Sequence, residues 1–183
     1  MNRRFPLRNP NRFPFNPRRQ AFNARILAGF ELFDAGQFLQ SAQLFEELAG
    51  IAEARNGPRA PRFYIQAGRG YLHGGKIMEG MAMLEKGHQL FIDSGRPEAA
   101  GRLGLWLPNE LNQLGLSEQA KLVARWAGGM TTVASKGAQQ PPLPLKCPSC
   151  GGPVLPNEVT WLDVVTAECE YCGSPLRGSP GQD

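Results

Sequence analysis

Two stretches of the chain share one pattern: residues 28–47, AGFELFDAGQFLQSAQLFEE, and residues 67–86, AGRGYLHGGKIMEGMAMLEK. Gly36 and Gly75 occupy equivalent places in the two stretches, and Gly115 marks a weaker third copy. These marker glycines lie 39 and 40 residues apart, so this part of the chain repeats. We expect each marker glycine to end a helix in the left-handed conformation, which glycine adopts without steric cost.

The positions around each marker glycine predict pairs of antiparallel helices. A small residue seven places before the marker, Gly29 or Gly68, lets two helices approach closely. Large apolar residues after the marker, such as Phe38 and Phe45, fill the space between them. A helix pair of this kind cannot bury its own apolar face, so we expect successive pairs to stack.

This pattern resembles the tetratricopeptide repeat (TPR) family, in which a small residue, an aromatic, a turn glycine, a second aromatic and a small residue recur. The matching residues are Gly29, Gly36, Phe38 and Phe45 in the first copy and Gly68, Tyr71, Gly75 and Gly80 in the second. The resemblance covers roughly residues 22–127. It departs from the family in a period longer than about 34 residues, in a third copy without aromatics, and in lacking the proline that closes each repeat. An ordinary six-helix bundle is the alternative.

The resemblance implies a concave groove lined by the first helix of each pair. The side chains expected to face it are Asn23, Phe30, Asp34, Arg62, Arg69, His73, Arg102, Asn109, Asn112 and Gln113. Arginines and amides together suit carboxylates and peptide backbone, so we expect a protein partner that offers an acidic or extended peptide segment. The alternative is a solvated face with scattered charge.

The four cysteines form two CxxC pairs, Cys147-Pro-Ser-Cys150 and Cys169-Glu-Tyr-Cys172, with 18 residues between the pairs. This spacing is typical of a zinc site. Glycine follows each pair and permits the tight turn that presents both sulfurs to one ion. The stretch over residues 146–177 resembles a zinc ribbon, whose knuckles read CPxCG and CxxCG.

Four thiolates would fill all four positions of a tetrahedral ion, so we expect one structural Zn²⁺ held by these cysteines. Two disulfides or an iron site of the rubredoxin type are the alternatives; the CxxC pairing and the lack of an export signal disfavour disulfides. Between the pairs, residues 159–162 and 164–167 predict two short strands. Trp161 and Tyr171 are expected either to face a partner or to cover the small core.

The charge of the chain is unevenly distributed. The chain has 20 Lys+Arg and 16 Asp+Glu, a net charge of +4, yet six arginines lie within residues 1–20 and the rest of the chain is at −2. The residues of interest in this arm are Arg3, Arg4, Phe5, Arg8, Arg12, Phe13, Phe15, Arg18 and Arg19. Arginine beside phenylalanine suits the phosphates and bases of nucleic acid. The echo of RFPLRNP in RFPFNP equally suits an extended motif that docks on protein, and an unstructured tail is the third alternative.

Composition divides the chain into five segments. They are a disordered Arg/Pro/Phe-rich arm (1–20), a TPR-like helical domain (21–129), a linker (130–145), the zinc ribbon (146–177) and a disordered tail (178–183). The predicted fold class is therefore mainly α, with about three stacked antiparallel helix pairs and a small β-rich zinc ribbon. No stretch is as long as the run of about 18 apolar residues that a membrane helix needs, and no secretory signal is seen. We therefore expect a cytoplasmic protein without membrane contact.

The sequence favours recognition over catalysis. The histidines, His73 and His88, stand in no catalytic constellation, and no phosphate loop is present, so we expect no enzyme. We predict a non-enzymatic adaptor or scaffold that binds protein partners through the groove and the ribbon. The alternative is a nucleic-acid-associated protein that uses the basic arm and the ribbon.

Overall fold

The computed structural model describes residues 17–128, 141–155 and 159–178. Within them the chain forms six α-helices, a 3-10 turn and three short strands. The helices are α1 (Pro17–Asp34), α2 (Phe38–Glu53), α3 (Ala60–His73), α4 (Ile77–Asp93), α5 (Pro97–Gln113) and α6 (Ser117–Ala124), followed by the 3-10 turn Arg125–Ala127. The strands β1 (Thr160–Trp161), β2 (Thr166–Glu168) and β3 (Pro175–Arg177) form one antiparallel sheet in the order β1-β2-β3. The predicted fold class, mainly α with a small β-rich module, is confirmed.

The three marker glycines end α1, α3 and α5 as predicted. Gly36, Gly75 and Gly115 have φ angles of 75°, 77° and 77°. At each turn, the N–H of the residue after the glycine donates to a carbonyl five residues earlier, as Gln37 does to Leu32 at 2.9 Å. This is the hydrogen bond that closes a helix end through a left-handed residue. A fourth glycine of this kind, Gly95 at φ 72°, ends α4 and was not predicted.

Each helix packs against the next one along the chain. The predicted small residues lie at the closest approaches: a Cβ on Gly29 would meet the Phe45 ring at 2.8 Å. On Gly68 it would meet Leu84 at the same 2.8 Å. Only a hydrogen fits at these positions, because a real Cβ keeps a larger separation from its neighbours.

Two groups of buried side chains form the core, and one of them crosses from helices to ribbon. The first contains side chains of α1, α2 and α3, such as Phe45 and Phe63, together with all four cysteines and Leu176 of β3. The second holds α3 to α6 together. The ribbon and the first half of the helical stack therefore share one core, where the sequence indicated two separate modules.

Three details differ from the sequence-based expectations. Helix α1 begins at Pro17, so residues 17–20, expected in the disordered arm, are helical; the fixed φ of proline suits the first helical turn. Strand β3 was not predicted. Val164 and Val165 lie in a turn, because the Asp163 carboxylate accepts the backbone N–H groups of Val165 and Thr166 at 2.8 and 2.7 Å.

Some predicted segments fall outside the described residues. These are the arm over residues 1–16, residue 129 with most of the linker (130–140), residues 156–158, and the tail from residue 179. Among the helices that the structure describes, none combines the length and apolar character needed to cross a bilayer.

Candidate metal centre and the groove that it fills

Two similar turns present the four cysteines. In the first, the N–H of Cys147 donates to the Gly152 carbonyl and the N–H of Gly151 donates to the Cys147 carbonyl, both at 2.8 Å. In the second, Cys169 donates to Ser174 at 2.9 Å and Gly173 donates back to Cys169 at 2.8 Å. The glycines that close these turns, at positions 151 and 173, have φ of 69° and 68°. The predicted role of glycine after each CxxC pair is confirmed.

The four sulfur atoms are close enough to share one ion. All four Sγ atoms lie within 4.8 Å of one another, and every cysteine is buried. The distance from Cys147 to Cys172 is 3.8 Å, as is that from Cys150 to Cys169. A tetrahedron with metal–sulfur bonds of about 2.3 Å has edges of about 3.8 Å, so this cluster can hold a metal ion.

Without a bound metal ion, the four thiols shift one another's pKa values in opposite directions. Hydrogen bonding from Cys150 lowers the pKa of Cys147 to about 6, and hydrogen bonding from Cys147 lowers the pKa of Cys172. The same contacts with Cys147 raise the pKa of Cys150 and of Cys169. A bound cation removes this competition, because it stabilises the thiolate form of every ligand at once.

The ribbon lies on the face of the helical stack where the sequence predicted an open groove. The Tyr171 ring packs edge-on against Phe30 with centroids 5.1 Å apart, and its hydroxyl accepts a hydrogen bond from Gln66 Nε2 at 2.8 Å. A Cβ on Gly152 would lie 2.7 Å from the Tyr171 ring and 3.1 Å from the Phe30 ring. The first knuckle thus packs tightly against α1 and the second knuckle.

Ion pairs surround this contact. Arg62 Nε lies 2.9 Å from Glu170 Oε2, and both side chains are mostly buried. Arg59 pairs with Glu168 at 2.6 Å, and Asp34 receives a hydrogen bond from Lys146 at 2.6 Å. Of the predicted groove residues, Phe30, Asp34 and Arg62 therefore contact the ribbon of the same chain.

The next predicted groove residues converge on a carboxylate that sequence reasoning missed. Arg69 Nε donates to both oxygens of Glu110 at 3.0 and 2.9 Å, and His73 Nε2 lies 2.7 Å from Glu110 Oε1. Burial alone raises the pKa of the Glu110 carboxyl, but Arg69 and His73 outweigh burial and hold it below its ordinary value. A signal existed, since Glu110 adjoins Asn109, which was assigned to the same groove.

The remaining predicted groove residues are not drawn together. Asn109, Asn112 and Gln113 are exposed on α5. Arg102 is half-buried, and its Nε has no hydrogen-bond partner among the described residues. Asn23 is buried in α1.

A cavity of about 400 Å³ remains between α3, α5 and the ribbon. We call it the groove pocket; its lining consists of Arg62, Ile65, Gln66, Arg69, Phe91, Leu103, Trp106, Glu110, Pro153, Leu155 and Tyr171. Apolar and aromatic side chains make up most of this wall. The Trp106 indole N–H is buried and has no partner among the described residues. The pocket therefore offers a mainly apolar surface with charged groups of Arg62, Arg69 and Glu110 in its wall.

The structure also places Tyr171, Trp161 and Arg19, and Arg18 is exposed in the first turn of α1. Tyr171 is buried and covers the ribbon core, and Trp161 is half-buried against the same core. Arg19 of the arm donates to the Gly173 carbonyl at 2.9 Å, beside the second knuckle. The arm residues Arg3, Arg4, Phe5, Arg8, Arg12, Phe13 and Phe15 lie outside the described residues.

Function has to be inferred from this geometry. Comparisons of the chain with protein-family models, with curated proteins and with solved structures found no match.

Proposed function

We propose that this chain is a non-enzymatic adaptor in which a TPR-like helical stack and a zinc ribbon bind one protein segment together. The observation that carries the proposal is the groove pocket, because its wall combines α3 and α5 with Leu155 and Tyr171 of the ribbon. A segment that enters it contacts both parts of the chain at once. The sequential packing of the six described helices and their glycine turns support the TPR-like architecture.

We assign the metal as one structural zinc ion. The four buried thiols lie within 4.8 Å of one another, and two of their sulfur–sulfur distances are 3.8 Å, the edge length of a tetrahedral zinc–sulfur site. With four thiolates bound, zinc has no position left for water or substrate, which is why we give it no catalytic role. The described residues of the ribbon form only three strands of two or three residues, so the ion would supply much of the folding free energy of this module.

The pocket chemistry suggests the kind of segment that binds. Arg62 and Arg69 already hold ion pairs with Glu170 and Glu110, so a partner need not neutralise them. The apolar wall suits one large apolar side chain. We therefore favour an extended segment with an apolar anchor; an acidic residue beside the anchor would add contacts with the arginines.

Selection from a random peptide library on the zinc-loaded full chain tests this function. Peptides enriched on the native chain should lose at least about tenfold in affinity for Leu155→Glu, since the new carboxylate would enter an apolar wall. Val164→Glu is the matched control, because Val164 is another exposed apolar residue of the ribbon and does not line the pocket. Equal binding to both variants would contradict the assignment of the pocket as the binding site.

Metal analysis tests the zinc assignment separately. The purified, reduced chain should contain about one zinc ion, and the double variant Cys147→Ser, Cys150→Ser should contain none. A folded native chain with iron in place of zinc, or with no metal, would contradict the assignment.

A further inference from the structure

A chain of hydrogen bonds runs along the wall of the groove pocket, from α5 to the ribbon. Arg69 of α3 donates to both oxygens of Glu110 on α5, and its Nη1 donates to Gln66 Oε1 at 2.9 Å. Gln66 Nε2 in turn donates to the Tyr171 hydroxyl at 2.8 Å. We call Glu110, Arg69, Gln66 and Tyr171 the wall network, and all four residues line the pocket.

The wall network ends inside the second knuckle of the ribbon. Tyr171 lies between Cys169 and Cys172, in the turn that presents two of the four sulfur atoms. The Tyr171 ring packs edge-on against Phe30 of α1, and the residue is only 5% exposed. Because this ring is buried and closely packed, a shift of Tyr171 would also move the backbone that carries both cysteines.

The first knuckle contributes to the same wall. Pro153 and Leu155 follow Cys150 closely in the sequence, and both line the pocket. Gly152, also in this segment, leaves no room for a side chain, since a Cβ there would lie 2.7 Å from the Tyr171 ring. The two knuckles therefore meet beside the pocket, and their relative position sets the shape of the pocket as well as the spacing of the sulfur atoms.

The wall network is buried enough for its geometry to matter. Gln66 is 4% exposed, and the side chains of Arg69 and Glu110 are 22% and 17% exposed. A polar group that loses its partner in such surroundings costs free energy, so these hydrogen bonds favour one common arrangement. A ligand that fills the pocket lowers the dielectric constant around these bonds and strengthens them.

We propose that the wall network couples the groove pocket to the metal site, so that the chain binds its partner segment in the metal-loaded form and a bound segment tightens metal binding. The inference rests on the proposed function for the nature of the ligand. The coupling is reciprocal, because the factor by which the metal raises the affinity for the segment equals the factor by which the segment raises the affinity for the metal. Gln66 and Tyr171 act as positioning residues, since they hold the second knuckle while the cysteines supply the sulfur atoms.

A ribbon that folded independently would behave differently. Its metal affinity would depend on the knuckles alone, and a substitution on α3 would leave that affinity unchanged. Residues that orient metal ligands without touching the ion typically change metal affinity by about 10- to 100-fold when they are replaced. The contacts of Tyr171 with Gln66 and Phe30 give helices α3 and α1 this role.

Competition with a chromophoric zinc chelator measures the zinc dissociation constant of the reduced full chain and tests the coupling without any ligand. Gln66→Leu removes the hydrogen bonds to Tyr171 and Arg69, so the zinc dissociation constant should rise about tenfold. Gln113→Leu is the matched control, because Gln113 is exposed on α5 and does not line the pocket. The control should leave the zinc dissociation constant unchanged.

A double-mutant cycle separates the coupling from a general loss of stability. Tyr171→Phe removes the hydroxyl that accepts from Gln66 and keeps the ring. In this background, Gln66→Leu should change the zinc dissociation constant by less than about threefold. Equal zinc dissociation constants of the native chain and Gln66→Leu would overturn the proposal. An undiminished effect of Gln66→Leu in the Tyr171→Phe background would also overturn it, because the effect would then not pass through Tyr171.

A peptide enriched on the zinc-loaded native chain supplies the second test. Its affinity should fall at least about tenfold when a chelator removes the metal, and saturating peptide should lower the zinc dissociation constant by the same factor. A peptide that is sensitive to Leu155→Glu but binds equally to the metal-free chain would overturn the coupling and leave the pocket as a binding site. If no peptide binds in the pocket, the proposed function fails, whereas the zinc measurements on Gln66→Leu still decide whether the wall network acts on the metal site.

Discussion

Gly68 lies on α3 where this helix packs closely against α4. A Cβ at this position would lie 2.8 Å from Leu84 and 2.9 Å from the backbone carbonyl of Gly80. The carbonyl cannot move aside as the end of a flexible side chain can. The helix spacing here depends on the absence of one methyl group.

Gly68→Ala is therefore expected to lower the free energy of unfolding by about 1–3 kcal/mol, because the two helices must separate to admit the methyl group. Chemical denaturation of the zinc-loaded chain measures this. Gly50→Ala is the control: Gly50 lies in α2 with no atom within 4 Å of the added Cβ, so alanine should stabilise by about 0.5–1 kcal/mol. Equal stability of both variants would contradict the close packing of α3 and α4.

The role of a single residue could be predicted where it depends only on neighbouring residues in the sequence. The marker glycines and the cysteines could be identified because a positive φ and a CxxC turn depend on neighbouring residues. Glu110 could not be paired with Arg69 from the sequence, because they lie on different helices and α5 departs from the repeat. In α5 a close helix contact occurs instead at Gly104, where an added Cβ would lie 2.3 Å from the backbone nitrogen of Ala127.

At the scale of elements, α3 and α5 are linked across the stack by Glu110. Its carboxylate accepts a hydrogen bond from Arg69 of α3 and contacts His73 Nε2 of the same helix. These contacts hold the pKa of Glu110 below its ordinary value, although burial opposes this. A carboxyl whose pKa falls on folding stabilises the fold above its unfolded pKa, about 4.3. That contribution is lost as the pH falls from there through the lower pKa of the folded chain.

Glu110→Gln should consequently lower the free energy of unfolding by about 2 kcal/mol at pH 7 and by progressively less below about pH 4.3. Denaturation at a series of pH values measures the difference between variant and native chain. The native chain and the variant should lose metal alike at low pH, so the difference in their free energies of unfolding measures the contribution of Glu110. Glu118→Gln, at an exposed residue of α6, should cost little at any pH. A cost for Glu110→Gln that stays constant down to pH 3 would contradict the ion-pair assignment.

Helices could be predicted where the apolar periodicity extends over a long stretch of sequence. Short strands were harder to predict. The helices of the first two copies follow from their apolar pattern and glycine turns. Strand β3 has three residues, Pro175–Arg177, and forms only by pairing with β2, so its own sequence carries little signal. Whether such a short strand forms depends on its tertiary contacts.

At the scale of the molecule, the chain places its ribbon against the face of the helical stack where the sequence predicted an open groove. The sequence indicates both parts but not their contact. Phe30, Gln66 and Tyr171 meet across that contact, yet Tyr171 lies more than 100 residues from either of the other two. Such long-range packing depends on shape and buried area, which a local pattern does not contain.

This contact would make the helical stack depend on a metal ion held by the four cysteines. The cysteines belong to the same buried cluster as Phe45 and Phe63, so unfolding of the ribbon would expose apolar surface of α1, α2 and α3. Helix α6 lies in the other cluster and has no share in this surface. Removal of the ion should therefore loosen one half of the stack and spare the other.

Hydrogen exchange of the full chain, with zinc bound and after treatment with a strong chelator, tests this most directly. The account predicts that amide exchange in residues 60–73 of α3 speeds up on metal removal, that exchange in residues 117–124 of α6 changes little, and that added zinc restores the protection. Unchanged protection of α3 in the metal-free chain, while residues 159–178 exchange freely, would contradict a ribbon that is part of the helical core.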